Sequence, residues 1–449
     1  MNEMNDINGM SGSRDGLKRI VVVGGGFAGL NFVKHIDLDR YSVTLIDKHN
    51  FHCFPPLFYQ VASAGLDPAS ICFPLRRELR KLHSRNVMFN MGEVKEIDMA
   101  RKRVVTNEES VDYDVLVIAA GTSNNFFNMP QLEKSVYTLK STSQALRYRN
   151  DILDLLEKAA LVKDEEVQRR MLDFVVVGGG PTGVEIAGAI GEMKRYVLPR
   201  EYPTIPQENL SITLIEGSDK LLGAMSETSS RQALRDLDSL MVKVRLGAVM
   251  KGYEGGMVTL LSGEELPARM VIWTAGVTGV RFDIIGCATD VVGHGNRFMT
   301  DCFCRVKGFD NVYALGDIAL MDGDPAYPKG HPQLAQVAIQ QGRLVARNLN
   351  AAASGNGTSS APKAFRYKDK GAMATIGRNR AVVDMKHAHL TGFMAWLAWM
   401  FVHLISLLGM RNKITVLINW IWAYFNYSTS LRLLIHPCRY PLRRRWMDN

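Results

Sequence analysis

The chain has 449 residues, of which 47% are hydrophobic and 22% charged, and its formal net charge is +9. This composition is typical of a globular protein and excludes a disordered one, and the length predicts two or three domains. The charge is uneven, because residues 391–449 contain seven basic residues and one acid. The same segment contains five of the six tryptophans. Such a segment favours an anionic membrane surface over nucleic acid.

The chain starts with a polar stretch, residues 1–17, that lacks an apolar core and predicts a frayed leader without a signal peptide. The cysteines are few and form no CxxC pair, which excludes a disulfide scaffold and predicts free thiols in a reducing compartment. They are interpreted as small buried residues: Cys53, Cys72, Cys287, Cys302, Cys304 and Cys438.

The first predicted strand lies in RIVVVGGGFAGL, where Ile20 to Val23 form a β-branched run typical of a parallel strand buried on both faces. The glycine pattern GxGxxG follows at once, with these site residues: Gly24, Gly26, Ala28 and Gly29. In this pattern the glycines allow a tight turn, a close pyrophosphate and close helix packing. A second strand, YSVTLID, ends in Asp47, about 20 residues on, where a carboxylate accepts from ribose hydroxyls. Together they predict a dinucleotide site.

The pattern repeats in MLDFVVVGGGPTGVEIAGAI, where the strand Phe174 to Val177 precedes a second set of glycines, Gly178, Gly180 and Gly183. The next strand, LSITLIEGSDK, ends in Glu216 after an insertion. An ordinary strand-to-helix turn explains one glycine cluster, but two complete units make that reading remote. No arginine follows Glu216 closely, which favours NADH over NADPH.

Three further predicted strands fit a fold with two dinucleotide sites. YDVLVIAAGT closes on Gly121 and Thr122, MVIWTAGV contains Gly276, and NVYALGDIAL reaches Asp317. Two dinucleotide sites predict a flavoprotein oxidoreductase with tightly held FAD and a visiting nicotinamide. At this point the chain resembles the flavoproteins whose FAD domain is interrupted by an inserted NAD domain. The resemblance implies that Thr122 and Asp317 bind the flavin, although Asp317 could also cap the next helix.

The electron acceptor is indicated by AQVAIQQG, residues 335–342. Gln336 and Gln340 lie four residues apart and share one face of a predicted helix, beside small alanines. Because no CxxC is present, electrons must leave the flavin to a dissociable acceptor. The alternative for this face is an amide pair that is hydrogen-bonded to neighbouring main chain.

The motif resembles the quinone-site signature of the type II NADH:quinone oxidoreductases, as do NFHCFPPLFYQVASAGL, GGGPTGVEIAGA, YKDKGAMATIGRNRAVV and LTGFMAWLAWMFVHL. Pro55 departs from that family, which frequently has glutamine there. The resemblance implies that Gln336 and Gln340 line a quinone slot opposite NADH, and that small Ala335 and Ala338 admit a flat ring. It also implies that Ala335 and Gln336 contact FAD.

Two charged residues are weaker candidates. The resemblance implies that Glu185, in GPTGVE, lies where nicotinamide and flavin meet and helps relay a proton; a carboxylate stabilised by the helix dipole is an equal alternative. It also suggests that Lys370 stabilises reduced flavin or quinone, against the alternative of a solvated lysine. No metal site is predicted.

The end of the chain contains two apolar stretches, Phe393 to Gly409 and Ile414 to Tyr427. A membrane-spanning helix needs about 20 apolar residues, so both stretches predict interfacial helices with tryptophans at headgroup depth. A helix pair buried in a dimer and a spanning hairpin are the alternatives.

The predicted fold class is α/β, with two Rossmann-like dinucleotide-binding domains and a C-terminal membrane-anchoring region of amphipathic helices. The predicted segments are an FAD domain (18–140 and 291–350), an NADH domain (141–290), a linker (351–363), a strand-rich segment (364–390) and anchoring helices (391–449).

The expected function is a non-pumping respiratory NADH dehydrogenase that passes a hydride from NADH to FAD and two electrons to a membrane quinone. The expected protein is a homodimer on the anionic, cytoplasmic face of the inner membrane, without nucleic acid. A soluble FAD-dependent NADH reductase of a protein or small acceptor is the alternative, and an NADH-sensing membrane protein is a third.

Overall fold

The computed structural model describes residues 16–287, 290–354, 361–386, 388–426 and 431–434. Its contacts divide the chain into two compact units. The first unit comprises the chain up to residue 53, then 72–125 and 277–370. The second comprises 54–71, 126–276 and the chain from 371 onward. The breaks thus come at 125 and 276, where the sequence pattern suggested 140 and 290, and segment 54–71 packs with the second unit.

The first unit is built on a five-stranded parallel sheet, the first sheet. Its strands, in spatial order, are Val312–Ala314, Val115–Ile118, Lys18–Val23, Tyr41–Asp47 and Val87–Met91. The central strand ends in four buried residues, as the β-branched run predicted. The α-helices in the described part of this unit are Phe27–Val33, Leu75–Arg80 and Ala335–Ala353, the last of which is called the glutamine helix.

Smaller sheets complete the first unit. They contain Phe51–Cys53, Cys72–Pro74, Val94–Asp98, Arg103–Thr106, Ser110–Asp112, Thr122–Asn124, Val277–Gly279, Asp283–Ile285, Val292–Gly293, Arg297–Thr300 and Ala319–Met321. The first sheet and these strands enclose one core, which includes Ile97, Tyr113, Leu116 and Phe298.

The second unit is built on a four-stranded parallel sheet, the second sheet. Its strands, in spatial order, are Lys243–Arg245, Ser211–Ile215, Asp173–Val177 and Met270–Trp273. An antiparallel sheet follows, with strands Met250–Glu254, Met257–Leu260 and Glu265–Pro267. The α-helices before the tail are Phe58–Ala62, Leu132–Ser135, Thr142–Ala160, Glu165–Met171, Pro181–Glu192, Leu198–Glu201 and Glu227–Ser239. Both glycine patterns therefore lie at the end of a central parallel strand, as predicted, and the α/β fold class is confirmed.

The chain ends in two further layers, both in the second unit. The tail sheet contains Ala372–Gly377, Arg380–Met385 and Ala388–Thr391, all antiparallel. The tail helices, Gly392–Ser406 and Met410–Asn426, follow it. None of the helices in the described part of the chain has both the length and the apolar character that crossing a membrane requires.

Candidate active site

The first glycine loop has the shape that a pyrophosphate needs. Gly24 has a φ of +104°, and a Cβ there would come within 2.4 Å of the Ala119 carbonyl oxygen. A Cβ on Gly29 would collide with the carbonyl of Gly24, whereas a Cβ on Gly26 would meet nothing within 4 Å. The loop is therefore closed against the protein and open at Gly26, where a phosphate can approach the main chain.

Asp47 lies at the end of the strand beside this loop. Its carboxylate accepts hydrogen bonds from the main-chain amides of Gly25 at 2.7 Å and His49 at 2.8 Å. A cavity of about 320 Å³ adjoins it, lined by Lys48, His49, Met91, Gly92, Glu93, Asn107 and Glu108. This cavity has room for a nucleoside, so the residues present fit the adenosine end of FAD.

The buried side chain of His52 supports the loop from the other side, because its Nδ1 lies 2.9 Å from the Gly25 carbonyl oxygen. Burial lowers the pKa of His52. The imidazole is therefore neutral at pH 7, with Nδ1 as the donor, since a carbonyl can only accept. His52 was not among the residues predicted from the sequence.

The strand end at Gly316 and Asp317 meets the same region. The Gly316 amide donates to the Gln341 side chain at 2.7 Å, and a Cβ on Gly316 would lie 3.4 Å from that of Ala28. Asp317 is partly exposed, and its main-chain oxygen accepts from Gln333 at 3.0 Å. Asp317 therefore lies near the helix Phe27–Val33, which follows the first glycine loop. The buried Gln341, which was not predicted from the sequence, holds the neighbouring Gly316 in place.

The two amides of the glutamine helix bind main chain. Gln340 donates to the carbonyl of Lys368 at 2.9 Å and accepts from the amide of the same residue at 3.0 Å. Gln336 accepts from the amide of Lys370 at 3.1 Å, and Lys370 itself is exposed. Gln336 and Gln340 therefore lie on one helical face, as predicted. Their side-chain amides bind the main chain of segment 368–370, which agrees with the alternative of an amide pair hydrogen-bonded to neighbouring main chain. Ala335 lies at the first position of the same helix.

The second glycine loop repeats the first. Gly178 has a φ of +108°, a Cβ on Gly183 would collide with the Gly178 carbonyl, and a Cβ on Gly180 would meet nothing within 4 Å. Glu216 accepts from the amides of Gly179 at 2.5 Å and Ser218 at 2.8 Å. Gly276 follows the strand Met270–Trp273 of the same sheet. These residues fit a second dinucleotide.

A cavity of about 180 Å³ lies within the second unit, between the helix Pro181–Glu192, the tail sheet and the tail helices. We call it the tail cavity. Its aromatic lining consists of Tyr59, Trp396, Trp399, Trp420 and Tyr424, and its charged lining consists of Glu185, Glu192, Arg378 and Arg432. The cavity therefore combines apolar walls with a few polar groups, as ligand sites do.

Glu185 lies in this cavity with only 8% of its surface exposed. Burial raises the pKa of its carboxyl well above the ordinary value, and the main chain of Thr375 and the indole of Trp399 offset this only in part. Trp399 is itself buried, and its indole nitrogen completes no hydrogen bond within the described residues. A carboxyl so poorly solvated favours its protonated form.

Glu192 is the second acid of the cavity. Its Oε1 accepts from the main-chain amide of Arg378 at 2.6 Å. Burial raises the pKa of Glu192, while the nearby Arg378 and Arg380 lower it to a smaller extent. Glu192 was not among the residues predicted from the sequence, although its spacing from Glu185 places both on one helical face.

A chain of hydrogen bonds fixes the cavity wall opposite the acids. The indole N–H of Trp420 can only donate, so the Gln60 group that it meets at 2.8 Å is the side-chain carbonyl. The Gln60 amide nitrogen then donates to the Tyr59 hydroxyl at 2.8 Å. The phenolic hydrogen of Tyr59 is left to donate elsewhere, since this bond uses only its oxygen.

Arginines bind the last part of the described tail to the rest of the second unit. The guanidinium of Arg378 donates to the carbonyls of Tyr424, at 2.6 Å, and Ala423, in the last turn of that helix. Arg432 pairs with Glu201, with Nε donating to Oε2 at 2.7 Å. Cations at these carbonyls offset the helix dipole and satisfy acceptors that the helix leaves unbonded.

The tryptophans of the tail do not all reach the surface. Trp399 and Trp420 are buried in the cavity wall, and Trp399 stacks on His403 with ring centroids 4.0 Å apart. Burial lowers the pKa of His403 to about 4. The prediction of tryptophans at headgroup depth is therefore wrong for these two, because they complete the cavity instead. Trp422 is 61% exposed, and Trp446 lies outside the described residues.

Comparison with known proteins was made against families, sequences and solved structures. The pyridine nucleotide-disulphide oxidoreductase family model matches residues 18–342, and the NDH2 C-terminal domain model matches residues 370–426. A type II NADH:quinone oxidoreductase of Mycobacterium tuberculosis, Ndh, is 32% identical over 413 residues, which cover 90% of this chain and 87% of that protein.

Solved structures share the fold. Plasmodium falciparum NDH2 in complex with NADH superposes with a TM-score of 0.85 at 23% identity, over 93% of this chain and 100% of the other. The sulfide:quinone oxidoreductase of Aquifex aeolicus superposes with a TM-score of 0.70 at 18% identity, over 94% of this chain and 97% of the other.

Proposed function

The chain belongs to the type II NADH:quinone oxidoreductase family, and from that premise we propose how its own residues carry the reaction of the family. The protein is an FAD-dependent enzyme that oxidises NADH and reduces quinone without pumping protons. The observation that supports this conclusion most strongly is the 32% identity to the Mycobacterium tuberculosis enzyme, which covers 90% of this chain. The chemistry that bound FAD supplies is acceptance of a hydride from NADH and delivery of two electrons to quinone.

FAD would be held in the first unit. Gly24, Gly26, Ala28 and Gly29 would receive the pyrophosphate, because this loop is open only at Gly26. Asp47 would accept from the ribose beside the 320 Å³ cavity. Thr122, Asp317, Ala335 and Gln336 would contact the rest of the cofactor; the approach of Gly316 to Ala28 supports this assignment for Asp317.

NADH would be held in the second unit. Gly178, Gly180 and Gly183 would receive its pyrophosphate, and Gly276 would lie beside it at the neighbouring strand end. Glu216 would accept from the ribose hydroxyls and repel a 2′-phosphate, which explains a preference for NADH. Buried Glu185 would hold a proton for the reaction.

Residues within each unit, taken separately, are proposed to act on the quinone. By family resemblance, the glutamine helix presents Gln336 and Gln340 to it, and the exposed Lys370 stabilises charge on the reduced species. The hydrogen bonds of both glutamines to segment 368–370 support a role in shaping this surface. Within the second unit, the tail cavity would supply aromatic walls for an apolar ring and the buried carboxyl of Glu185 for its reduction, which its lining supports.

Members of the family are peripheral membrane proteins, and the tail helices would be the part that enters the bilayer surface. Their exposed faces carry large apolar side chains: Phe393, Met394, Leu397, Phe401, Val402, Ile405, Met410, Ile414, Leu417, Ile418, Ile421, Trp422 and Phe425. A patch of this size on a water-soluble surface marks an interaction site. We propose that it contacts anionic lipid on the cytoplasmic side, and that the enzyme is a homodimer.

Steady-state kinetics test the function. The purified protein should be yellow, and it should oxidise NADH with a water-soluble quinone far faster than NADPH. Turnover with ferredoxin or another protein acceptor in place of quinone would instead support a soluble reductase. A yellow protein that NADH does not reduce would contradict the proposal.

A further inference from the structure

The tail cavity contains an acid that the proposals above leave without a role. Glu185 and Glu192 lie on one helix, seven residues apart, and both line the cavity. Seven residues make almost two turns, so the two carboxyls share a face at a separation of about 10 Å along the helix axis. Both acids therefore line the wall that this helix contributes to the cavity.

The reaction of the family requires one proton from water per turnover. A hydride carries two electrons and one hydrogen nucleus, whereas the conversion of quinone to quinol takes up two electrons and two hydrogens. The net reaction is therefore NADH + H⁺ + quinone → NAD⁺ + quinol. A cavity that excludes bulk water must provide groups that deliver this second hydrogen.

Glu192 has the geometry of a group that exchanges protons. Only its Oε1 is bound, by the Arg378 amide at 2.6 Å, and its Oε2 accepts no hydrogen bond from any described residue. The carboxyl packs against Gly377, where a Cβ would lie 3.0 Å from Oε1. Glu192 is partly exposed, whereas Glu185 is buried, so Glu192 is the acid that water reaches.

The two arginines nearest Glu192 on the tail sheet also interact with other groups. The Arg378 guanidinium binds carbonyls of the second tail helix, and Arg380 lies 4.0 Å from Asp236. The titratable and charged groups that surround Glu192 in the cavity and the tail sheet are Tyr59, Glu185, Arg378, Arg380, Tyr424 and Arg432. Burial raises the pKa of Glu192 by more than the Arg378 main-chain amide and the two tail-sheet arginines lower it, and this favours the protonated carboxyl.

Tyr59 lines the same cavity as the two acids. Burial raises the pKa of its phenol, and the charges of Glu185 and Glu192 raise it further. Its oxygen accepts from Gln60, and its own hydrogen is available to the cavity. A volume of about 180 Å³ has room for several water molecules between these groups.

We propose that Glu192 is a proton-relay residue, which takes up one proton per turnover from water and passes it through cavity water and the Tyr59 hydroxyl to Glu185. Glu185 gives its own proton to the quinone oxygen and is reprotonated by Glu192, which is in turn reprotonated from solvent. No electrons move in this step. The proposal rests on quinone reduction as the proposed function.

The test compares two electron acceptors in Glu192→Gln, which keeps the shape and the acceptor for the Arg378 amide. Quinone takes up protons on reduction, whereas ferricyanide takes up only electrons. With a water-soluble quinone, kcat should fall at least tenfold, and its dependence on pH should flatten. The KM for NADH and the rate with ferricyanide should stay at wild-type values, and Glu192→Asp should restore most of the quinone activity.

Matched variants separate the outcomes. Glu166→Gln removes an exposed acid on another helix of the same unit and should change neither rate. Equal losses with both acceptors, or wild-type quinone turnover in Glu192→Gln, would overturn the proposal.

If Glu192→Gln does not fold, Gly377→Ala provides a second test, because the added methyl group crowds the same carboxyl. This variant should lower the turnover with quinone and leave the rate with ferricyanide unchanged. Unchanged quinone turnover would overturn the relay. A wild-type protein inactive with quinone would refute the proposed function itself.

Discussion

At the scale of single residues, the second unit uses glutamates in two different environments. Glu216 accepts two main-chain hydrogen bonds at the end of a strand, and these fix the position of its carboxylate beside the second glycine loop. Glu185 is buried, and burial raises its pKa, which the Thr375 main chain and the Trp399 indole offset only in part. These environments support the roles proposed for the two residues, recognition of ribose hydroxyls by Glu216 and retention of a proton by Glu185.

Glu216→Ala should raise the KM for NADH roughly tenfold or more, because a hydrogen bond to a charged group contributes about 1.5–3 kcal/mol. The loss of repulsion of a 2′-phosphate should also narrow the discrimination against NADPH. Glu216→Gln is the matched variant, since it keeps a carbonyl acceptor for the loop and removes only the charge. Unchanged kinetics with both cofactors would show that Glu216 does not contact the ribose.

The stability of the protein should depend on pH through Glu185. Its pKa is raised in the folded state, so the folded chain holds a proton that the unfolded chain releases above its ordinary pKa of 4.5. This contribution is complete below that value and is lost as the pH rises through the folded pKa. The Tm of Glu185→Gln should therefore fall less than that of wild type between pH 5 and pH 9.

The Tm of Glu185→Gln and of wild type is measured over this pH range from thermal melting curves, with Glu166→Gln as the control. Each tenfold change in acidity corresponds to about 1.4 kcal/mol, so a well-raised pKa gives a measurable difference. A constant gap between the curves across the range would contradict the account.

At the scale of elements, the glutamine helix shows what a sequence pattern determines and what it omits. A spacing of four residues placed Gln336 and Gln340 on one face, and the structure agrees. Their main-chain partners lie about 30 residues away in a segment without regular structure, and no periodicity relates the two. The role of the buried Gln341 at Gly316 was hidden for the same reason.

Gln340→Leu should loosen segment 368–370, because two hydrogen bonds to Lys368 are lost. Each is worth about 0.5–1.5 kcal/mol, so the free energy of unfolding should fall by about 1–3 kcal/mol. By the family role of this helix, reoxidation by quinone should slow while reduction by NADH stays close to wild type. Stopped-flow traces in which both half-reactions slow equally would assign the helix a purely structural role.

At the scale of the whole molecule, the two nucleotide-binding patterns were predictable because each is local: a strand, a glycine turn and a helix within a short stretch. The tail cavity was not, since Tyr59, Glu192 and Trp420 come from three distant parts of the chain. The apolar runs predicted the tail helices. The sequence could not show that part of each run faces the cavity, because one apolar stretch serves burial and exposure alike.

Membrane binding should separate into two contributions. Replacing Phe401, Ile405, Ile418 and Phe425 with serine should weaken flotation with anionic vesicles at every salt concentration, because these side chains are exposed and apolar. Replacing Arg443, Arg444 and Arg445, which lie outside the described residues, with glutamine should weaken it mainly at low salt. Each arginine contributes about 1 kcal/mol that salt screens. If high salt alone released the intact protein completely, the tail helices would not be inserted.

The most direct test of the central claim is an anaerobic double-mixing experiment on the wild-type protein. The flavin absorbance should first bleach with one equivalent of NADH, and a water-soluble quinone should then restore it with one quinol formed per NADH consumed. The same cycle with NADPH should bleach far more slowly. A flavin that NADH reduces but quinone leaves reduced would contradict the assignment of quinone as the electron acceptor.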